Sequence, residues 1–392
     1  MPMTPSQTAP TIVLAPDSFK GSLTAQQACD ALSEGLLRVY PHAQLRACPM
    51  ADGGEGTLDA LLSRSGTRRI LTVHGASGVL REASAGVFDD GSAIIETAEI
   101  VGITDAIGMA IAVEARSTAG LGEAIRALLD QGTRRILIGL GGSSTNDAGV
   151  GMLSALGVHF YDAQGGALEA VPAALASLAR VDASGLDPRL AHTALIAMSD
   201  VDNPLCGPQG ATAVFGPQKG VRPAQHNELD SLLGHCASLL ESALGRTAQH
   251  APGAGAAGGL GFALQLLGAE FRRGADVVAE HLGLGEALRD ADWMITGEGR
   301  SDLQSLRGKA PMIACRYAHE AGVPISLLSG AIGPEALPAL SLYFAGCFSL
   351  AAGPMTLGDA VANAHALLAN AAQQIGLLRL AAQTANKRAL DN

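Results

Sequence analysis

The chain alternates, almost from end to end, between short aliphatic runs and longer segments whose apolar residues recur at helical spacing. Thr11 to Ala15 reads as a buried strand. Ala28, Ala31, Leu32, Gly35, Leu36 and Val39 then repeat along one helical face, with Thr24 and Gln27 placed as a capping box. "RRILIGL", "HTALIAM", "DWMIT" and "PISLL" read as further strands, helical patterns fill 123–130, 227–244 and 310–321, and a C-terminal helix is expected with Val361, Ala364, Leu368, Ala371 and Ile375 on one face. Strands separated by helices pair through crossovers, so the pattern predicts α/β architecture with mostly parallel sheets. Between about Ser77 and Ile95 it shifts to two short strands joined by "DDGS", a hairpin-like interruption that marks a domain boundary.

A length of 392 residues suits two or three domains or one large one, and 48% hydrophobic with only 3% aromatic content makes the core aliphatic. The formal charge of -11 argues against a nucleic-acid or anionic-membrane surface, so any anionic ligand must be held locally by placed cations, helix N-termini or a metal. Six scattered cysteines without a C-x-x-C suggest neither a zinc knuckle nor a disulfide framework, and are read as thiols of a reducing cytoplasm. The opening "MPMTPSQTAP" has neither a charged nor an apolar signal region and is expected to be a frayed tail. No uncharged apolar run reaches the ~20 residues needed to span a bilayer.

Ligands of open α/β sheets bind beyond the carboxyl ends of the strands. The segments in those places are "PDSFKGS", "MADGGEGT", "GGSSTNDAG", "SDVDNPLCG", "GEGRSDLQS" and "SGAIG". Between them they carry Asp17, Lys20, Asp52, Glu55, Asp147, Asp200, Asp202, Glu298, Arg300 and Asp302. Each has a plainer reading: Lys20 as a surface lysine, "ADGGEGT" as a tight turn opening a helix, "GGSSTNDAG" as a glycine turn with one N-cap. A single cap accounts for one hydroxyl, however, and not for five consecutive polar side chains. A loop whose glycines admit a phosphate to backbone N–H groups, with hydroxyls adding donors, accounts for the whole stretch. Asp147 would then sit where it could hold a metal on the bound phosphates.

Named motifs narrow the chemistry further. There is no Walker A loop, no G-x-S-x-G elbow and no H-E-x-x-H. The one G-x-G-x-x-G, in "GAGAAGG", follows no strand and is read as a packing segment. Carboxylates, a few cations and a glycine-hydroxyl loop fit phosphoryl transfer, whose catalysis is mostly positioning and charge neutralisation.

"APDSFKGSLTA", "PMADGGEGT", "IGLGGSSTNDAG", "SDVDNPLCGPQGATAVFGPQKG", "GAGAAGGLG" and "ITGEGRSDLQSLRGKAP", in this order and along nearly the whole chain, resemble the type I glycerate kinases. The resemblance implies a cytoplasmic kinase, monomer or homodimer, that uses ATP and Mg2+ to phosphorylate D-glycerate, most often to 2-phosphoglycerate, in glyoxylate or glucarate catabolism. It implies an α/β fold of two domains: a flavodoxin-like parallel-sheet domain from residues 1–74 and 287–392, with a second α/β domain, 75–286, inserted into it and the active site in the cleft between them. Lys20, Arg300 and Lys309 would neutralise the substrate carboxylate or the γ-phosphate. Asp17, Ser18, Asp52, Gly53, Gly54, Glu298 and Asp302 would bind substrate. Gly141, Gly142, Ser143, Ser144, Thr145 and Asn146 would cradle phosphate, with Asn203 and Lys219 on the nucleotide side. Asp147 and Asp200 are the two candidates for magnesium ligand and acceptor-hydroxyl base.

The chain departs from the family pattern where an aliphatic residue is expected at Ser301, threonine at Ser305 and alanine at Ser144, and where "RSTAGLGEAI" lacks an aromatic. The rival readings are a kinase forming 3-phosphoglycerate or acting on another small hydroxy acid, and a non-catalytic metabolite sensor on the same scaffold.

Overall fold

The computed structural model describes residues 9–390, with side chains as far as 385. The expected N-terminal tail lies, for residues 1–8, outside the described residues. The chain divides into two compact units, one from Met1–Asp52, Asp59–Arg64 and Ala275–Asn392, the other from Gly53–Leu58 and Ser65–Gly274.

The first unit is built on a five-stranded parallel sheet in the spatial order Cys347–Ser349, Ile325–Ser329, Trp293–Thr296, Thr11–Leu14, Gln44–Ala47. Numbered by their sequence within the unit, the strands run 2-1-3-4-5 from the Gln44–Ala47 edge, the flavodoxin-like doubly wound order. Val13 is centred between Arg46 and Met294. The Ala25–Leu37 helix opens with the expected capping box: Gln27 N–H donates to Thr24 Oγ1 at 3.1 Å and Thr24 N–H to Gln27 Oε1 at 2.9 Å. Its buried face, with Leu32 and Leu36, packs with Ile12, Leu14, Trp293, Leu328 and Leu368. Gly35 has to be glycine because a Cβ there would lie 2.0 Å from the carbonyl oxygen of Ala369 in the C-terminal helix. That helix departs from expectation at its start. Leu357–Ala362 forms a separate turn capped by Thr356, Ala364–Leu390 begins afresh, and Val361 stays 39% exposed while Ala364, Leu368 and Ile375 are buried.

The second unit carries a six-stranded mixed sheet. Glu270–Arg272, Ala194–Met198, Arg135–Gly139 and Ala93–Glu96 are parallel; Leu80–Val87 and Thr67–His74 continue it antiparallel. The hairpin around "DDGS" is the Leu80–Val87 and Ala93–Glu96 pair, its turn held by Ser92 N–H on Asp90 Oδ1 at 2.9 Å. Thr67–His74 pairs with Leu80–Val87 along its whole length and therefore belongs to this unit, which begins before residue 75. The other exchange also comes earlier than expected, with residues 275–286 in the first unit. The core is aliphatic as composition required, centred on Ile95, Ile100, Leu121, Ile125, Ile136 and Ile138. Among the described residues no helix is long and apolar enough to cross a membrane.

Candidate active site

In a sheet of order 2-1-3-4-5 the crossovers reverse between the first and third strands, and the loops leaving those two strands part to form a crevice. Here they leave a cavity of about 510 Å3 in the first unit. The loop after Thr11–Leu14 brings Asp17, Ser18 and Lys20 to it. The segment after Gln44–Ala47 brings Asp52, and the loop after Trp293–Thr296 brings Glu298, Arg300 and Asp302. Lys309, the N-cap of the Ala310–Glu320 helix, completes the charged wall. The two switch-point loops are tied together by Ala15 N–H to Ile295 O and Asp17 N–H to Gly297 O, both 2.8 Å, and by Thr296 Oγ1 to Ala15 O at 2.7 Å. The opposite wall is aliphatic, from Leu350, Met355, Leu357, Val361, Ala364 and Leu367.

The charged wall is not a solvated face. Asp17 is 6% exposed and its carboxyl is pushed up to about 7, by burial first and then by the Asp52 charge, with Glu298 adding. The Ser18 N–H, 2.6 Å from Asp17 Oδ1, and the Lys20 ammonium oppose this rise. Burial also raises the Glu298 carboxyl, against the hydroxyls of Ser305 and Ser301, which donate to its Oε1 at 2.6 and 2.9 Å, and against Lys309. Ser301 Oγ lies 2.7 Å from Ser329 Oγ, so the hydroxyl at a position where an aliphatic residue was expected is wired into this carboxylate. Arg300 and Lys20 are exposed, with Arg300 Nε 3.7 Å from Asp302 Oδ2.

The glycine-hydroxyl loop, in the second unit, is organised differently. Gly142 is exposed and Gly141 half-buried, but Ser143 to Asp147 turn inward and none is more than 5% exposed. Asp147 has no exposed surface. Its Oδ2 accepts from Thr118 N–H at 2.9 Å, the Thr118 hydroxyl at 2.8 Å and Gly151 N–H at 3.4 Å, and its Oδ1 from Gly149 N–H at 3.0 Å. Burial raises its carboxyl while these four bonds oppose the rise. The structure thus places Asp147 inside the loop, pinning it to the Thr118 helix start, and not at a surface where a metal ligand or a base would meet substrate.

Lys219 is likewise enclosed. Its ammonium donates to Ser143 Oγ at 2.9 Å and Thr145 O at 2.7 Å, and burial holds it down to about 7, with Arg116 adding and Asp147 opposing. Arg116, also buried, donates to Ser144 O and Lys219 O, each at 2.9 Å, while the Ser144 hydroxyl donates to Val101 O. Asn146 Nδ2 donates to Thr212, and Thr145 Oγ1 and Asn146 Oδ1 are buried without a partner among the described residues. "GAGAAGG" packs underneath. A Cβ on Gly258 would fall 2.0 Å from Thr145 O, and Ala148 N–H donates to Gly258 O at 3.0 Å, so the packing reading of that segment holds.

The residues expected at the site therefore fall into two groups. Asp17, Ser18, Lys20, Asp52, Glu298, Arg300, Asp302 and Lys309 line one cavity. Gly53 and Gly54 lie in the second unit against the end of Arg135–Gly139, where a Cβ on Gly141 would meet Gly54 Cα at 2.6 Å. Asp200 is exposed after Ala194–Met198, and Asn203 is half-buried with its Nδ2 on Gln209 O. Among the described residues no three His, Cys, Asp or Glu side chains form a metal-binding group. Arg116 and Thr118 were not anticipated, although an arginine followed by two hydroxyl residues ahead of a glycine-rich helix start was a readable signal. The aliphatic wall and Ser329 had none.

The glycerate kinase family model matches residues 12–380. A glycerate kinase of Bacillus subtilis (strain 168) is 41% identical over 372 residues, 93% of this chain and 96% of that protein. A glycerate 2-kinase of Escherichia coli (strain K12) is 38% identical over 372 residues, with the same coverage. A glycerate kinase 2 structure from Salmonella typhimurium LT2, 38% identical, matches with a TM-score of 0.86 over 96% of this chain and 100% of its own.

Proposed function

The chain belongs to the glycerate kinase family, and from that premise we propose that it transfers the γ-phosphoryl group of ATP to the 2-hydroxyl of D-glycerate, giving 2-phosphoglycerate and ADP. The observation that carries this reading is the switch-point cavity, where three cations and four carboxylates converge at the place an open α/β sheet binds its ligand. Glycerate is a carboxylate with two adjacent hydroxyls. Lys20, Arg300 and Lys309 neutralise its carboxylate and the transferring phosphoryl oxygens, and Ser18 and Asp52 orient its hydroxyls. The choice of the 2-hydroxyl is supported by the relative named glycerate 2-kinase.

In the second unit, the accessible backbone of Gly141 and Gly142 is suited to the nucleotide phosphates, with Lys219 and Asp147 holding the loop in shape from behind and Asn203 assigned to the nucleotide side. Magnesium is usually held by substrate phosphates, waters and one or two carboxylates, which a site without a protein cage can accept. Asp147 is fully enclosed and already accepts four hydrogen bonds, so the exposed Asp200 is the carboxylate that fits. When bound, the ion neutralises charge on the transferring phosphates. The free thiols of all six cysteines suit a cytoplasmic enzyme.

The test is ADP release with ATP, magnesium and D-glycerate, the product being passed to enolase with and without phosphoglycerate mutase. Signal with enolase alone is expected. Signal only when mutase is added would move the attacked hydroxyl to the 3-position, and no ADP release would sink the reading.

A further inference from the structure

We propose that Asp17 is the catalytic residue that takes the proton of the attacking hydroxyl, an inference that rests on the glycerate kinase reading and on how the cavity's four carboxylates are engaged. Glu298 is held by the Ser301 and Ser305 hydroxyls on Oε1. Asp302 faces Arg300 and accepts the Gln304 N–H at 2.8 Å. Asp52 is only half-buried. Asp17 differs from Asp52 and Asp302 in being buried, and from Glu298 in accepting one hydrogen bond on its carboxylate instead of two. Its backbone is locked to Gly297, its Oδ1 accepts one hydrogen bond from Ser18, and Oδ2 has no partner among the described residues. A general base needs an open lone pair at a fixed position and a proton affinity matched to the working pH. The groups that set that affinity are on the page. Asp52 and Glu298 face Asp17 and raise it, Lys20 opposes them, and Lys309 and Asp302 act one step further out, on Glu298. Burial with the two flanking carboxylates holds Asp17 at about 7.

The step balances without any further reactant. As the glycerate hydroxyl oxygen bonds to the γ-phosphorus, its proton passes to Asp17 Oδ2. The bond from the γ-phosphorus to the bridging oxygen breaks, and its electron pair leaves on ADP. Asp17 returns the proton to water after product release.

Wild-type kcat should therefore fall on the acid side with a midpoint near 7. Asp17→Asn should lower kcat by roughly 10²–10⁴-fold, remove the acid limb and leave the KM for glycerate within a few-fold, whereas Asp52→Asn should keep the limb. Folding is checked by thermal unfolding. Asp17 binds its proton more tightly folded, at about 7, than at the ordinary 3.8. Its stabilising contribution is therefore full below about 3.8 and lost as pH rises through about 7. Asp17→Asn should then unfold later than wild type at alkaline pH, by roughly 2–4 °C, and this gain should vanish in acid. Should the asparagine variant not fold, Asp17→Glu, which moves the carboxylate by one methylene, should lower kcat while keeping an acid limb. An Asp17→Asn enzyme with kcat within tenfold of wild type, or with its acid limb intact, overturns the proposal. So does an Asp17→Glu enzyme with wild-type kcat. A wild-type protein that releases no ADP with glycerate overturns the kinase reading beneath it, and the two failures are separate.

Discussion

Two regions of this molecule have nearly the same sequence grammar and opposite uses for it. "PDSFKGS" and "GGSSTNDAG" each follow a parallel strand and each mixes glycine, hydroxyls and an aspartate. In the first, Asp17 and Lys20 reach a cavity and Asp17 keeps an oxygen without a partner among the described residues. In the second, Asp147 receives four hydrogen bonds and Lys219 gives two, with neither more than 2% exposed. In the first unit the buried Asp17 carboxylate is set beside two other carboxylates, at a cost in stability, where a ligand can use it. The charges in the second unit are spent on holding a loop whose accessible part is only backbone. Buried charges that are fully hydrogen-bonded act on shape, and those that are not act on chemistry.

The contrast can be broken by substitution. The largest effect is expected from Lys20→Met, which should cut kcat by roughly 10²–10³-fold with a nearly unchanged melting midpoint, because the side chain is exposed. Near-normal turnover would remove the first unit's claim to the chemistry. Asp147→Ala should act through stability, costing on the order of 3 kcal/mol in denaturant unfolding, since it strands the Thr118, Gly149 and Gly151 donors and leaves Lys219 without its countercharge. A variant of wild-type stability that had lost only turnover would return Asp147 to the list of catalytic groups. Ser301→Ala is the smallest and sharpens the picture inside the cavity. Glu298 keeps the Ser305 hydroxyl, so a loss of about 1 kcal/mol and a few-fold change in kcat are expected from steady-state kinetics and unfolding together.

Much of this was legible in the residues. The strands "HTALIAM", "DWMIT" and "PISLL", the capping box at Thr24 and the hairpin at "DDGS" follow from periodicity and local hydrogen bonding, which act over a few residues. Seven of the charged and polar residues that line the cavity, Asp17, Ser18, Lys20, Asp52, Glu298, Arg300 and Asp302, were legible because strand ends are where such folds place ligands, and Lys309 through the family resemblance. The start of the C-terminal helix was not, since Val361 fits the helical period but falls in a separate turn before Asn363. Nor were the exact exchange points between units, because Thr67–His74 is assigned by its pairing with Leu80–Val87 and not by anything within itself.

The sequence by itself determined the alternation of elements, the aliphatic core and the positions along the chain at which chemistry can occur, for these depend on local pattern and composition. Only the tertiary structure decided which way each polar side chain turns. Asp147 points inward because Thr118, Gly149 and Gly151 offer it donors, and the loop can bury it because Gly258 leaves room underneath. Asp17 is left with one donor because the neighbouring switch-point loop brings Glu298 toward it and not a cation. What lies across from a residue is set by segments distant in sequence, and that decides whether the same aspartate becomes a strut or a base.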